Sequence, residues 1–236
     1  MDGVAGETEV RYNTVMIWNL SSLLSDPLGS LRQLLYMIPV MLLSLTLHEW
    51  GHAYAAYRCG DPTARNLGRM TLNPIAHIDP IGFLSLLLLG FGWAKPVPVN
   101  SRNYRNYRVG EAVVSLAGVT MNFLLVLVAS VTLIILGRVY PRAFANDALM
   151  SILSYLLSLN LTLMVFNLIP IYPLDGYHVF ELLFGRFLPP RVLYFLRRYG
   201  NLILIGLLLL GNTLRFSPIS FIQLWVIRLI NYFILL

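Results

Sequence analysis

Long uncharged runs of apolar residues dominate the pattern of this chain. Residues 112–137 and 148–174 contain no Asp, Glu, Lys or Arg, and shorter apolar runs cover 33–47, 199–214 and 216–236. At 1.5 Å per residue, a helix of about 20 such residues crosses a hydrocarbon core about 30 Å thick. The pattern therefore predicts an all-α polytopic membrane protein with about five or six transmembrane helices.

Three further segments do not fit simple spans. Residues 80–94 are apolar, but as a helix they would reach only about 22 Å, which predicts a re-entrant or tilted segment. The Gly- and Pro-rich stretch near residues 92–100 predicts a small strand-like insertion. Residues 12–25 are compatible with a short interfacial helix.

Composition excludes the other broad classes of protein. Hydrophobic residues make up 57% of the chain and charged residues 12%, against about 45–50% and about 25% in soluble domains. A soluble fold could not bury this apolar surface, and a disordered chain would have the opposite composition. We predict one membrane domain over residues 1–236, with a core at about 34–185 and a C-terminal hydrophobic hairpin at about 199–236.

Basic residues are distributed unevenly between the two sides of the predicted bundle. If residues 80–94 are re-entrant, then 58–79, 95–108 and 175–198 share one side and carry eleven Lys and Arg, against four on the other side. This asymmetry predicts that the basic side faces the cytoplasm of a multi-pass cell-membrane protein. The chain has no basic run with interleaved aromatic residues, so nucleic acid is not expected as a partner.

Two carboxylates lie at or within the strongly apolar elements, at Glu49 and Asp175. An ionisable group at membrane depth costs a few kcal/mol, so it needs a partner or a wet cavity. Glu49 belongs to an H-E-x-x-H sequence in which His48 and His52 are four residues apart. Both imidazoles would then lie on one helix face and reach one ion at about 2.0–2.1 Å. The spacing predicts a zinc site.

A catalytic zinc ion needs a third protein ligand, and Asp175 is the candidate. Pro170 and Pro173 precede it and disfavour helix, so we expect irregular backbone to present its carboxylate from the end of a span. The alternative is an aspartate that caps a helix. His178 and Glu181 follow closely and are expected beside the metal or at the surface, while His77 is expected to be structural.

The two motifs together resemble the site-2 protease family of intramembrane zinc metalloproteases. His48-Glu49-Trp50-Gly51-His52 in one helix is followed by N-x-x-P-x-x-P-L-D-G at residues 167–176. Residues 68–82 and 92–100 also resemble the compact bacterial-type branch, and no inserted PDZ or CBS module is visible. The resemblance covers about residues 34–185.

The resemblance implies roles for particular residues. His48, His52 and Asp175 would hold one zinc ion per chain, and Glu49 would be the catalytic base. Gly118 followed by Asn122 matches a further family element, although Val119 stands where many relatives carry proline. Asn122 and Asn167 would bind the substrate backbone or polarise the scissile carbonyl, and the alternative is hydrogen bonding between membrane helices.

The expected function is hydrolysis of peptide bonds within or near transmembrane segments of membrane proteins. Its partners would be a transmembrane protein or peptide substrate and the lipid bilayer, with the zinc site nearer the cytoplasmic side. Two rivals are a zinc protease that uses Glu181 as its third ligand and a metal-binding protein without activity. A metal transporter is less favoured, because acidic residues along several spans are missing.

Overall fold

Helices make up most of the chain in the computed structural model, which describes residues 25–89, 93–214 and 218–235. This confirms the predicted helical architecture. In chain order the helices are α1 Pro27–Cys59, α2 Thr63–Asn66, α3 Pro80–Leu89, α4 Tyr107–Val139, α5 Asp147–Asn167, α6 Asp175–Phe184, α7 Pro190–Leu214 and α8 Pro218–Leu235. Short 3₁₀ turns lie at Pro74–His77, Ser101–Asn103, Pro141–Ala145 and Gly185–Phe187.

Helices α1, α4 and α5 are long and apolar enough to cross a membrane, judged by length and composition. Helices α1 and α4 have 33 residues each, which corresponds to about 50 Å. Many of their apolar side chains remain exposed, for example Val128, Val131 and Ile135 on α4. A bilayer would cover such a surface. The predicted number of five or six spans stays a prediction.

Helix α4 is the central element, because it packs against α1, α5, α6 and α8. The main apolar core lies between α4, α5 and α8, and its buried residues are Val126, Ala129, Leu133, Leu153, Leu157, Leu161, Ile230 and Ile234. A smaller cluster joins α1 to α4 through Ala55, Ala56, Tyr104 and Val114.

Polar residues set the ends of the long helices. The side chains of Asp26, Asn106 and Asn146 accept hydrogen bonds from backbone N–H groups in the first turns of α1, α4 and α5. These bonds satisfy donors that have no partner within the helix. Helix α1 stops at Gly60, whose φ of 113° is readily adopted by glycine.

The structure refines the predicted boundary before Asp175. The uncharged run 148–174 is helical only to Asn167, and turns and bends follow through Leu174, as expected around Pro170 and Pro173. Asp175 itself is the first residue of α6. The irregular backbone therefore covers residues 168–174 and does not include Asp175. The Asp175 carboxylate projects from the N-terminus of α6 instead.

The other two unusual segments are short in the described part of the chain. The run predicted at 80–94 contains α3, which has 10 residues. Of the strand-like insertion predicted near 92–100, residues 93–100 are extended but form only an isolated antiparallel bridge between Ala94 and Ile78, with no strand among the described residues. The interfacial helix considered for 12–25 lies outside the described residues except at Ser25.

Hydrogen bonds join the two segments that flank α3. Arg69 donates to the Lys95 carbonyl at 2.8 Å, and the Arg105 N–H donates to the Cys59 carbonyl at 2.9 Å. Segments 58–79 and 95–108 therefore contact each other, and the side of the membrane on which they lie stays a prediction.

Candidate metal centre

Three side chains from two helices converge on one point. The Nε2 atoms of His48 and His52 on α1 are 3.1 Å apart. The Asp175 Oδ2 atom, at the start of α6, lies 3.5 Å from Nε2 of His48 and 3.3 Å from Nε2 of His52. These residues form a group that could hold a metal ion.

The size of this triangle fits a tetrahedral zinc ion. Ligands at about 2.0–2.1 Å from the ion in tetrahedral geometry are about 3.3–3.4 Å from one another. The three observed separations, 3.1, 3.3 and 3.5 Å, bracket that value. Two imidazoles and one carboxylate, with one position left for water, are also a donor set typical of catalytic zinc.

Hydrogen bonding fixes how His52 faces the triangle. Its Nδ1 lies 2.8 Å from the Val114 carbonyl of α4, which can only accept, so Nδ1 carries a proton and Nε2 is the atom that faces the triangle and would bind a metal in the neutral ring. The buried Asp175 Oδ2 atom has the Nε2 atoms of both histidines as its polar neighbours. Three acceptor atoms held this close repel one another unless a proton or a metal ion lies between them.

Gly118 allows α4 to approach both histidines. A Cβ atom at this position would lie 2.4 Å from Nε2 of His52 and 2.5 Å from Cε1 of His48. On the facing helix, a Cβ at Gly51 would lie 2.7 Å from the Met121 side chain. Small residues on both helices therefore permit the close α1–α4 contact that the site requires.

Glu49 is buried beside the triangle and is held by the main chain. Its Oε2 atom accepts a hydrogen bond of 2.8 Å from the Val97 N–H. Val97 belongs to the extended segment 93–100, which Arg69 also holds through the Lys95 carbonyl. The carboxylate therefore has one fixed oxygen, Oε2.

The two asparagines predicted to bind substrate lie in different surroundings. Asn122 is fully buried beside the His48 imidazole, with which its side chain interacts, but its amide atoms make no hydrogen bond of normal geometry with the described residues. Asn167 ends α5, and its Nδ2 donates to the Leu163 carbonyl of the same helix at 3.0 Å. A buried amide without partners is unusual and calls for an explanation.

The remaining candidates do not join the metal group. His178 pairs with Glu111 at 3.1 Å, and Glu181 pairs with Arg197. His77 is buried, and its Nε2 lies 2.8 Å from the Thr71 carbonyl, as expected for a structural role.

Sequence reasoning missed several groups around the site. The Val114 carbonyl and the Val97 N–H are main-chain groups, so residue type gives no signal for them. Asp61 is a fully buried carboxylate outside the apolar runs, and the Gly60-Asp61-Pro62 turn was the available signal. Glu111 begins the α4 stripe that continues with Val114, Gly118 and Asn122 at spacings of three or four residues.

Comparisons with known proteins agree with this geometry. Residues 36–207 match the model of a family described as Peptidase family M50. The chain is 42% identical over 149 residues to the Bacillus subtilis protein named "Putative zinc metalloprotease YwhC". The alignment covers 62% of this chain and 68% of the relative. It is also 34% identical over 163 residues to the Mycolicibacterium smegmatis protein named "Putative zinc metalloprotease Rip2". That alignment covers 66% of this chain and 60% of the relative. No solved structure matches the chain.

Proposed function

The chain belongs to peptidase family M50, and on that premise we propose that it is an intramembrane zinc metalloprotease. It hydrolyses peptide bonds within or near the transmembrane segments of membrane proteins. Family membership confirms the resemblance to site-2 proteases and the prediction of a metalloprotease, and the names of the relatives agree with zinc as the metal. The finer activity, directed at membrane segments, is supported by the apolar helices that surround the site.

The observation that carries the proposal is the convergence of His48, His52 and Asp175 beside the buried Glu49. We assign the first three as ligands of one zinc ion per chain. When bound, zinc supplies a Lewis acid and lowers the pKa of its water to about 7. The assignment of ligands rests on the separations of their donor atoms and on the Val114 carbonyl, which turns Nε2 of His52 toward the group.

Glu49 acts in this proposal as the general base. The Val97 N–H holds Oε2, which leaves Oε1 to take the proton of the attacking water and deliver it to the leaving amine. The same N–H also prevents the carboxylate from rotating away. Because Glu49 is buried, little bulk water competes for this proton.

Asn122 is proposed to donate to the scissile carbonyl. Its buried amide makes no hydrogen bond of normal geometry with the described residues, so a substrate oxygen would satisfy its donor. Asn167 is proposed to contact the substrate backbone through its amide oxygen, since its Nδ2 is used within α5. The extended residues 93–100 offer backbone groups for pairing with an unwound substrate.

The whole chain is proposed to form one domain in the cell membrane, with the metal group nearer the cytoplasm. The basic segments 58–79 and 95–108 meet at the end of the bundle where Glu49 contacts Val97. The positive-inside rule then favours the cytoplasmic side for that end. The substrate identity and the bilayer contacts are part of the same proposal.

The rival site with Glu181 as third ligand has less support. Glu181 forms an ion pair with Arg197, so its carboxylate is already neutralised. It also lies outside the group formed by His48, His52 and Asp175.

The experiment replaces the base and keeps the ligands. We expect Glu49→Gln to retain one zinc per chain and to lose cleavage, because the amide cannot accept the proton. Mass spectrometry of membrane peptides should show intact substrates accumulating in cells that carry this variant. As a control, Asp147→Asn alters an exposed residue of α5 and should leave cleavage unchanged. Full cleavage by Glu49→Gln would contradict the proposal.

A further inference from the structure

An apolar cavity of about 50 Å³ lies on the N-terminal side of the metal group, between α1, α3 and α5. Its walls are almost wholly apolar. Residues that line it include Leu42, Leu45, Phe83, Ala94, Leu159 and Leu163.

Few polar groups reach this cavity. The Asp79 carboxylate accepts a hydrogen bond from the Gly82 N–H at 2.8 Å, and Nε2 of His77 is bonded to the Thr71 carbonyl, whereas Nδ1 of the buried His77 has no hydrogen-bond partner among the described residues. A charged occupant would therefore lose its hydrogen bonds to water and gain few from the walls. The cavity favours an apolar group.

Three wall residues of the cavity are close along the chain to the proposed catalytic residues or to groups that hold them. Leu45 lies one helical turn before Glu49, and side chains on a helix lean toward its N-terminus, so Glu49 leans toward Leu45. Leu163 is bonded through its carbonyl to Asn167. Ala94 lies three residues before Val97, whose N–H holds Glu49. A residue next to a peptide bond at the metal group would have its side chain within reach of this space.

The volume limits the size of the occupant. A water-sized group needs about 10–15 Å³ measured in this way, so about 50 Å³ accepts roughly three to five heavy atoms. The side chains of valine, leucine and isoleucine have three or four carbon atoms. A phenylalanine side chain has seven and would require the walls to move.

We propose that this cavity binds an aliphatic side chain of the substrate, at a residue that flanks the scissile bond. It makes the protease select Val, Leu or Ile over aromatic and charged residues at that position. The inference rests on the proposed function and adds a determinant of substrate choice to it. The short separation along the chain between the wall residues Leu45 and Ala94 and the pair Glu49–Val97 favours a substrate side chain over a lipid acyl chain.

The test uses the full-length, zinc-loaded protein in detergent micelles. The probe is a library of peptides from digested bacterial membranes, and mass spectrometry maps every bond that is cut. We expect aliphatic residues to be enriched at one flanking position of the wild-type cuts. Leu159→Ala removes part of the cavity wall and should raise cleavage at Phe, relative to Leu, at least about tenfold at that position.

Two further variants complete the test. Leu156→Ala is the matched control, because this partly buried leucine of the same helix packs against the main core and does not line the cavity. Its residue preference should equal that of the wild type. Ala94→Val fills the cavity from the opposite wall and should shift the preference from Leu toward Ala, which keeps the proposal testable if Leu159→Ala does not fold.

The outcomes separate this inference from the proposed function. Unchanged residue preference in both cavity variants, with zinc and cleavage retained, would overturn the substrate pocket and favour a lipid or structural role for the cavity. Absence of any cut by the zinc-loaded wild-type protein would instead overturn the proposed function, and the pocket with it.

Discussion

Gly118 is the residue on which the close approach of α4 to the two histidines depends. A methyl group there would lie 2.4–2.5 Å from atoms of His52 and His48, well inside van der Waals contact. The imidazoles would have to move away from Asp175. Because the ligand positions set the affinity of a metal site, a small displacement is costly.

We therefore expect Gly118→Ala to weaken zinc binding at least about tenfold, measured by competition with a chelator. Gly206→Ala is the matched control, since a Cβ at Gly206 meets nothing within 4 Å. That variant should keep wild-type zinc affinity. Equal zinc affinity in the two variants would show that the α1–α4 contact does not constrain the histidines.

Asn122 carries a second prediction at the residue scale. Asn122→Ala should lower kcat by about 10²–10³, as expected for loss of one donor to a developing oxyanion, while zinc content stays unchanged. Asn160→Ala tests a different buried asparagine, which donates to the Ser44 hydroxyl at 2.8 Å. It should lower stability and leave kcat nearly unchanged. A loss of zinc in Asn122→Ala would instead indicate that Asn122 positions His48.

The pair His48 and His52 could be predicted from sequence because their spacing alone sets their geometry on a helix. Asp175 is far away in the chain, and only the second motif pointed to it. The Val114 carbonyl that orients His52 could not be predicted, because every residue has a carbonyl and the contact depends on how α1 and α4 pack.

Among the structural elements, the extended segment after α3 depends on Asp61. This buried carboxylate accepts hydrogen bonds from the Asn100 N–H, the Asn103 amide and Thr63. Burial opposes its ionisation, but these hydrogen bonds outweigh burial and hold the pKa of the carboxyl below its usual value. Asp61 thereby fixes the segment that carries Val97.

We expect Asp61→Asn to reduce the free energy of unfolding by about 2 kcal/mol, because hydrogen bonds to a charged acceptor become bonds to a neutral amide. Its effect should also depend on pH. Because the carboxyl has a lower pKa in the folded state, its ionised form stabilises the fold. This contribution is complete above the unfolded-state pKa of about 3.9 and is lost as the pH falls through the folded-state pKa. The stability difference between wild type and variant, measured by denaturant unfolding in micelles, should shrink in acid.

The exposed Asp147 provides the control for Asp61, and Asp147→Asn should change stability little. A pH-independent difference between wild type and Asp61→Asn would contradict the role given to the charge. The sequence did not predict the hydrogen bonds of Asp61. Its donors lie in polar loop sequence, and only the fold brings Asn100 and Asn103 close to it.

Helix boundaries show which parts of an element could be predicted. Proline marks a local event, so the irregular backbone around Pro170 could be predicted, whereas the apolar run from residue 112 did not indicate that α4 begins at Tyr107, after the cap Asn106. The length of the uncharged run did not give the end of α5, since Leu168–Leu174 are apolar without being helical. Hydropathy indicates which residues lie in an apolar environment, whereas proline and capping residues indicate where a helix begins or ends.

At the scale of the whole molecule, orientation in the membrane is the main expectation. A cysteine at Ser101 in a Cys59→Ser background should react with a membrane-impermeant reagent only after the cells are permeabilised. A cysteine at Arg142, in the turn between α4 and α5, should react from outside and serves as the control. The reverse labelling pattern would invert the proposed topology.

The general architecture was predictable because apolar composition excludes most folds and the two motifs specify a family. The number of spans was not, because hydropathy alone does not separate a crossing helix from a re-entrant one. Within residues 25–89, 93–214 and 218–235, three helices satisfy the length and composition of a span, and the arrangement of α3, α7 and α8 in the bilayer remains a prediction.

The central claim is that Asp175 completes the metal group with His48 and His52. Its most direct test is the zinc content of purified variants after dialysis against a chelator. We expect Asp175→Ala to lose the ion, because two imidazoles hold zinc poorly, and Glu181→Ala to retain about one zinc per chain. Loss of zinc from Glu181→Ala together with its retention in Asp175→Ala would contradict the account.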